Sequence, residues 1–128
     1  MDGTPRPLAP RPLSAEERSI LDRLLDVGFP GSEALRAQLP FVSVVGACPC
    51  GCVTRHLAVD RGQAPPAQGI HGLIPAEARI PARGSDHGGG VLVFAKDGYL
   101  CTLEAYSHDG EPIRTWPAPQ LMTFTVPR

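Results

Sequence analysis

The spacing of apolar and polar positions changes period along the chain. Ile20, Leu21, Leu24, Leu25 and Val27 recur at helical spacing, while Glu16, Glu17, Arg18, Asp22, Arg23 and Asp26 hold the opposite, wet face. Ser14 with Glu17 three residues on is a capping box, so the helix starts at Ser14. Gly28 stands where a left-handed residue ends a helix, and Phe29-Pro30 follow as a stop. Ser32 is placed to cap a second, short helix running to about Leu39, with Leu35 and Leu39 on one face and Pro40 as its end.

Past Pro40 the pattern becomes that of strands. Phe41 to Ala47 is rich in β-branched residues and reads as a buried strand, and Val53 to Val59 alternates as a second. Asp60 to Gly90 is irregular, with four prolines and room for a short strand near Ala78 to Ile80. Val91 to Lys96, Asp97-Gly98 and Tyr99 to Ser107 form the clearest signal, a hairpin on a type I′ turn. A two-residue loop pairs Lys96 with Tyr99, Phe94 with Cys101 and Leu92 with Leu103, and that side is expected to meet the helices. On this pairing Cys101 is a packing thiol in the core. Leu121 to Val126 reads as a last strand. Helices and strands are segregated, which predicts an α+β fold: two N-terminal helices packed on a mostly antiparallel sheet of four to six strands.

Composition narrows the class. The chain has 128 residues, enough for one domain with its own core. Residues 1–13, with Pro5, Pro7, Pro10 and Pro12, are expected to be a Pro-rich flexible tail, leaving 14–128 as the single domain. The net charge is -1 and its signs are interspersed, so the basic stripe of a nucleic-acid binder and the polybasic patch of a membrane anchor are both missing. The first residues lack the apolar core of a signal peptide, and the longest uncharged run, Ala37 to Thr54, is interrupted by proline and glycine. A cytoplasmic location is the expectation, with reduced or metal-bound cysteines rather than a disulfide framework.

The candidate chemistry centres on Cys48-Pro49-Cys50-Gly51-Cys52. Cys48, Cys50, Cys52 and His56 all occupy even positions, and a continuous strand would point them one way but spread them over roughly 26 Å, too far for one ion. Pro49 and Gly51 favour a turn that draws the thiols together. The candidate ligands are therefore Cys48, Cys50, Cys52 and His56, and zinc is the candidate ion. Structural packing thiols and redox-active thiols are the competing readings of the same residues. Glu104, beside Tyr106, reads as a solvent-facing strand residue rather than a positioned acid. Ser85-Asp86-His87 reads as a loop, because triads are assembled across a fold rather than along a segment. Trp116 reads as a surface anchor.

The capped first helix, Phe29-Pro30-Gly31, Gly46-x-Cys48-x-Cys50-Gly51-Cys52 and Asp97-Gly98-x-Leu100-x-x-Leu103-Glu104-x-Tyr106 together resemble a group of small uncharacterised actinobacterial proteins with a Cys-x-Cys-Gly-Cys motif. That resemblance spans most of the chain after residue 13 and brings no residue roles with it. The hairpin around Leu103, Glu104 and Tyr106 also resembles immunity-type proteins of bacterial toxin systems, which implies a protein partner.

No carboxylate pair, nucleophile with its base, or cofactor loop emerges, so the sequence leans away from an enzyme. It points to a non-enzymatic cytoplasmic binding or interaction protein with another protein as partner. The alternative is a metal-thiolate (zinc) or redox protein that uses Cys48, Cys50 and Cys52.

Overall fold

The computed structural model describes residues 5–84 and 87–127. Strands β1 (Arg6–Pro12), β2 (Val42–Ala47), β3 (Arg55–Val59), β4 (Gly72–Ile80), β5 (Gly89–Lys96), β6 (Tyr99–Ser107) and β7 (Thr123–Thr125) form one sheet in the order β1-β2-β3-β6-β5-β4-β7. Every pairing is antiparallel. Helices α1 (Ala15–Asp26) and α2 (Ser32–Gln38) lie between β1 and β2 in the chain. The fold is α+β as expected, but its seven-stranded sheet exceeds the four to six strands read from the sequence. No helix among the described residues is long and apolar enough to cross a membrane.

Two of the extra pairings come from segments that carry proline. Arg6–Pro12, read as part of a flexible tail over residues 1–13, is edge strand β1, so the helices are not the first elements. Met1–Thr4 lie outside the described residues. Proline lacks an amide donor, and an edge strand that pairs on one side only tolerates it. β4 fills the stretch read as mostly irregular and contains Pro75; its register on β5 shifts between Leu73 and Glu77, around that proline. β7 then pairs only with Glu77–Arg79, beyond the shift.

The helices form where their patterns place them. Ser14 Oγ accepts from Glu17 N (3.1 Å), and Glu17 Oε1 accepts from Ser14 N (2.9 Å). α2 is capped by Gly31 at φ 93° rather than by Ser32, whose Oγ instead accepts from Phe29 N (3.4 Å). Ile20, Leu21, Leu24, Leu25, Leu35 and Leu39 share one core with Val42, Val44, Leu57, Ile74, Ala76, Ala78, Val91, Val93, Ala95, Leu100 and Leu103. This is a two-layer arrangement, with helices on one sheet face.

The hairpin sits at the middle of the sheet, on a turn with Asp97 at φ 53° and Gly98 at φ 84°, both left-handed as type I′ demands. Lys96 pairs with Tyr99 and Ala95 with Leu100 as expected, but a bulge then shifts the register, so Phe94 pairs with Thr102 and Val93 with Leu103. The expected Phe94–Cys101 and Leu92–Leu103 pairs do not form. Cys101 is half-buried rather than core. The bulge allows Leu100 and Leu103, three residues apart, to face the same core. The buried side of β5 is Val91, Val93 and Ala95, and the expected side, Leu92, Phe94 and Lys96, is half-buried or exposed. Both faces of that strand are apolar in sequence, so alternation alone carries no sign.

Candidate metal centre

The cysteine run lies in the loop joining β2 to β3. Gly51 N donates to Cys48 O (3.3 Å), closing a turn, and Cys48 N donates to Thr54 O (3.4 Å), closing the loop. Gly51 sits at φ 90°, a left-handed conformation that favours glycine. A methyl group there would also stand 2.8 Å from Arg114 Nη1. The loop is held from outside as well, since Val53 N donates to Ile113 O (2.8 Å).

This turn brings Cys48, Cys50 and Cys52 together, with their sulfurs all within 4.8 Å of one another. Cys48 Sγ and Cys50 Sγ are 2.9 Å apart, and Cys52 N donates to Cys50 Sγ (3.3 Å). Cys50 is exposed, Cys48 half-buried and Cys52 buried, so the cluster runs from surface to interior. All are free thiols. The hydrogen bond with Cys50, aided by burial, pushes the Cys48 thiol up to about 11. The same bond, with those from Cys52, holds the Cys50 thiol below its ordinary value. The contact therefore favours ionisation of Cys50 over that of Cys48.

His56 does not join the group. It lies on β3 between Gly46 and Thr102, and its Nδ1 is 3.5 Å from Thr102 Oγ1. Of the four ligands read from the sequence, three converge and the imidazole stands apart. Cys101 also lies outside the group, with Thr102 Oγ1 donating to its sulfur (3.8 Å).

The donor set fits a soft, tetrahedral ion with one position open. Zinc–sulfur bonds of about 2.3 Å imply sulfurs about 3.8 Å apart, so the Cys48–Cys50 pair must open by about 0.9 Å to seat one. Three thiolates around a divalent ion leave a net negative charge, and two guanidinium groups stand at the loop. Arg55 Nη1 donates to Cys52 O (3.1 Å) and Thr54 O (3.0 Å), while its buried Nε has no hydrogen-bond partner. Arg114 covers Gly51 and also lines a cleft of about 590 Å³ with Arg83, Asp109 and Glu111. Arg55 follows the cysteine run by three residues, whereas Arg114 comes from a distant part of the sequence, and sequence reading missed both.

The other sequence candidates are not brought to this loop. Glu104 is half-buried on β6 opposite Leu92. Tyr106 packs edge-on to His108, with ring centroids 5.7 Å apart, and lies against Gly90. Ser85 and Asp86 lie outside the described residues. Trp116 is more than a surface anchor: its Nε1 donates to Glu17 Oε2 (3.3 Å) across 99 residues of chain. No family model, curated protein or solved structure matches this chain.

Proposed function

We propose that this chain is a metal-thiolate protein whose function is carried by Cys48, Cys50 and Cys52, with zinc as the first ion to test. The observation that carries the reading is the convergence of three free sulfurs within 4.8 Å of one another, on a turn that gathers residues a continuous strand would spread apart. Thiolates are the ligands a soft or borderline ion selects, and three of them leave a fourth position for water, a small ligand or a donor from a partner. Arg55 and Arg114 support the reading by supplying positive charge beside an anionic site.

The test is elemental analysis of protein purified without a metal-affinity tag, with thiols counted in native and denatured samples. The expected result is about one zinc per chain, with three of four thiols protected until denaturation and metal lost when Cys48, Cys50 and Cys52 are replaced by serine. Metal-free protein with four freely titratable thiols, and a melting temperature unchanged in the triple variant, would sink the reading. That outcome returns the function to recognition of a protein partner.

A further inference from the structure

The three thiols are not equivalent, and their arrangement suits two kinds of sulfur chemistry. A disulfide needs sulfurs about 2.05 Å apart, and a shared zinc ion needs them about 3.8 Å apart. The Cys48–Cys50 separation of 2.9 Å lies between these, so a small movement of one turn reaches either end. Cys50 is the exposed member and meets an incoming reagent first. Cys48 is already in contact with it, whereas Cys52 is buried and tied into the loop through its own amide. Cys101 is outside the cluster.

We propose that Cys48 and Cys50 are a reversible dithiol–disulfide couple that opens and closes the metal site. What is gated rests on the metal-thiolate reading above; the couple itself does not. The oxidant is a low-molecular-weight disulfide. The Cys50 thiolate attacks one of its sulfurs, forming a mixed disulfide on Cys50 and expelling one small thiolate. The Cys48 thiolate then attacks Cys50 Sγ, which forms the Cys48–Cys50 bond and expels the second. Two electrons pass from protein to small disulfide, and the two protons lost by the protein thiols end on the two small thiols released. Only Cys52 remains as a thiolate ligand, too few to hold zinc, and the ion leaves. A disulfide closing so short and exposed a loop belongs to the labile class that cellular thiols reduce, which restores the site.

The experiment treats reduced, zinc-free protein with oxidised glutathione, counts thiols and maps disulfides by mass spectrometry. A parallel sample of zinc-loaded protein is followed with a zinc-sensitive dye. The expected result is loss of two of the four titratable thiols. A peptide two hydrogens lighter should link Cys48 to Cys50, zinc should be released in step with it, and a reductant should reverse both. Cys101→Ser should behave as the parent, and Cys52→Ser should take up no zinc yet still form the bridge. A mixed disulfide that persists on Cys50, or a bridge that uses Cys52 or Cys101, overturns the couple. Zinc uptake is measured before oxidation, so the two readings fail separately. Uptake without the bridge overturns this inference alone. A bridge without uptake supports the couple and overturns the metal assignment.

Discussion

Glu17 shows how much one side chain in a helical first turn can organise. Its carboxylate is only 3% exposed, yet it accepts from Arg11 Nη1 (2.9 Å), Arg11 Nη2 (3.0 Å), Ser14 N (2.9 Å) and Trp116 Nε1 (3.3 Å). Burial pushes this carboxyl up, but the hydrogen bonds from Arg11, Ser14 and Trp116, with the charge of Arg11, outweigh it and hold the group at about 2 against an ordinary 4.5. A carboxyl lowered in the folded state stabilises above its unfolded pKa and loses that contribution as pH falls through the folded one. The contribution is therefore complete above about 4.5 and fades as pH falls toward about 2. Glu17→Gln should cost up to about 3 kcal/mol at neutral pH, set by the size of the shift, and the two proteins should converge in acid. Urea denaturation from pH 7 down to pH 2 reads this directly; an offset constant with pH would rule out the ion pair as its source. The capping box behind this arrangement was legible, because Ser14 and Glu17 are local. The rest was not, and Glu17 was read on the wet face, because Arg11 reaches it from a strand and Trp116 from the far end of the chain.

Among the elements, the β5–β6 hairpin is the one most fully specified by its own residues. The Asp97-Gly98 turn fixed the first two pairs, Lys96–Tyr99 and Ala95–Leu100, and the bulge that follows was hidden because no glycine or proline marks it. What the turn sequence does not reveal is how firmly its tip is held. Gly98 N donates to Ile70 O (2.8 Å), and Gly98 O accepts from Ala67 N and from the buried Gln38 Nε2, each at 2.8 Å. Gln38 Oε1 in turn accepts from Leu100 N (3.1 Å), so helix α2, the 65–70 segment and the central hairpin meet at one amide side chain. A Cβ at Gly98 would stand 2.7 Å from Ala67 O. Gly98→Val therefore combines left-handed strain with a backbone clash, and should lower stability by about 2 kcal/mol or more. A Gly98→Val variant that melts with the parent would show that the tip can rearrange without cost. The same clamp explains why the stretch after Asp60 looked structureless: its order comes from contacts with the hairpin rather than from any periodicity of its own.

At the scale of the molecule, the cysteine cluster proposed as a metal site and the core are separate structures. Among the described residues, twenty buried apolar ones form a continuous core between helices and sheet, and the cysteines are not among them. A chain of this size folds on such a core without a staple, in contrast to zinc fingers, which unfold when the ion is removed. Zinc should therefore add to stability as any ligand of the folded state does, by RT ln(1 + [Zn]/Kd), instead of creating the fold. That increment should be felt first in the loop from Cys48 to Thr54, whose closing bonds are few and partly long. The expected outcome of chelation is a lower melting temperature with far-ultraviolet circular dichroism unchanged at room temperature. Hydrogen exchange should quicken at the amides of Gly51, Cys52 and Val53, while those of Val91, Val93 and Leu103 keep their protection. Cooperative unfolding on chelation would mean that the cysteine turn holds β2 and β3 in the sheet; a quickening spread evenly over the hairpin would place the ion elsewhere. The local result is the one the structure calls for, because the turn hangs from the ends of two strands whose inward residues, Val42, Val44 and Leu57, are buried independently of any sulfur.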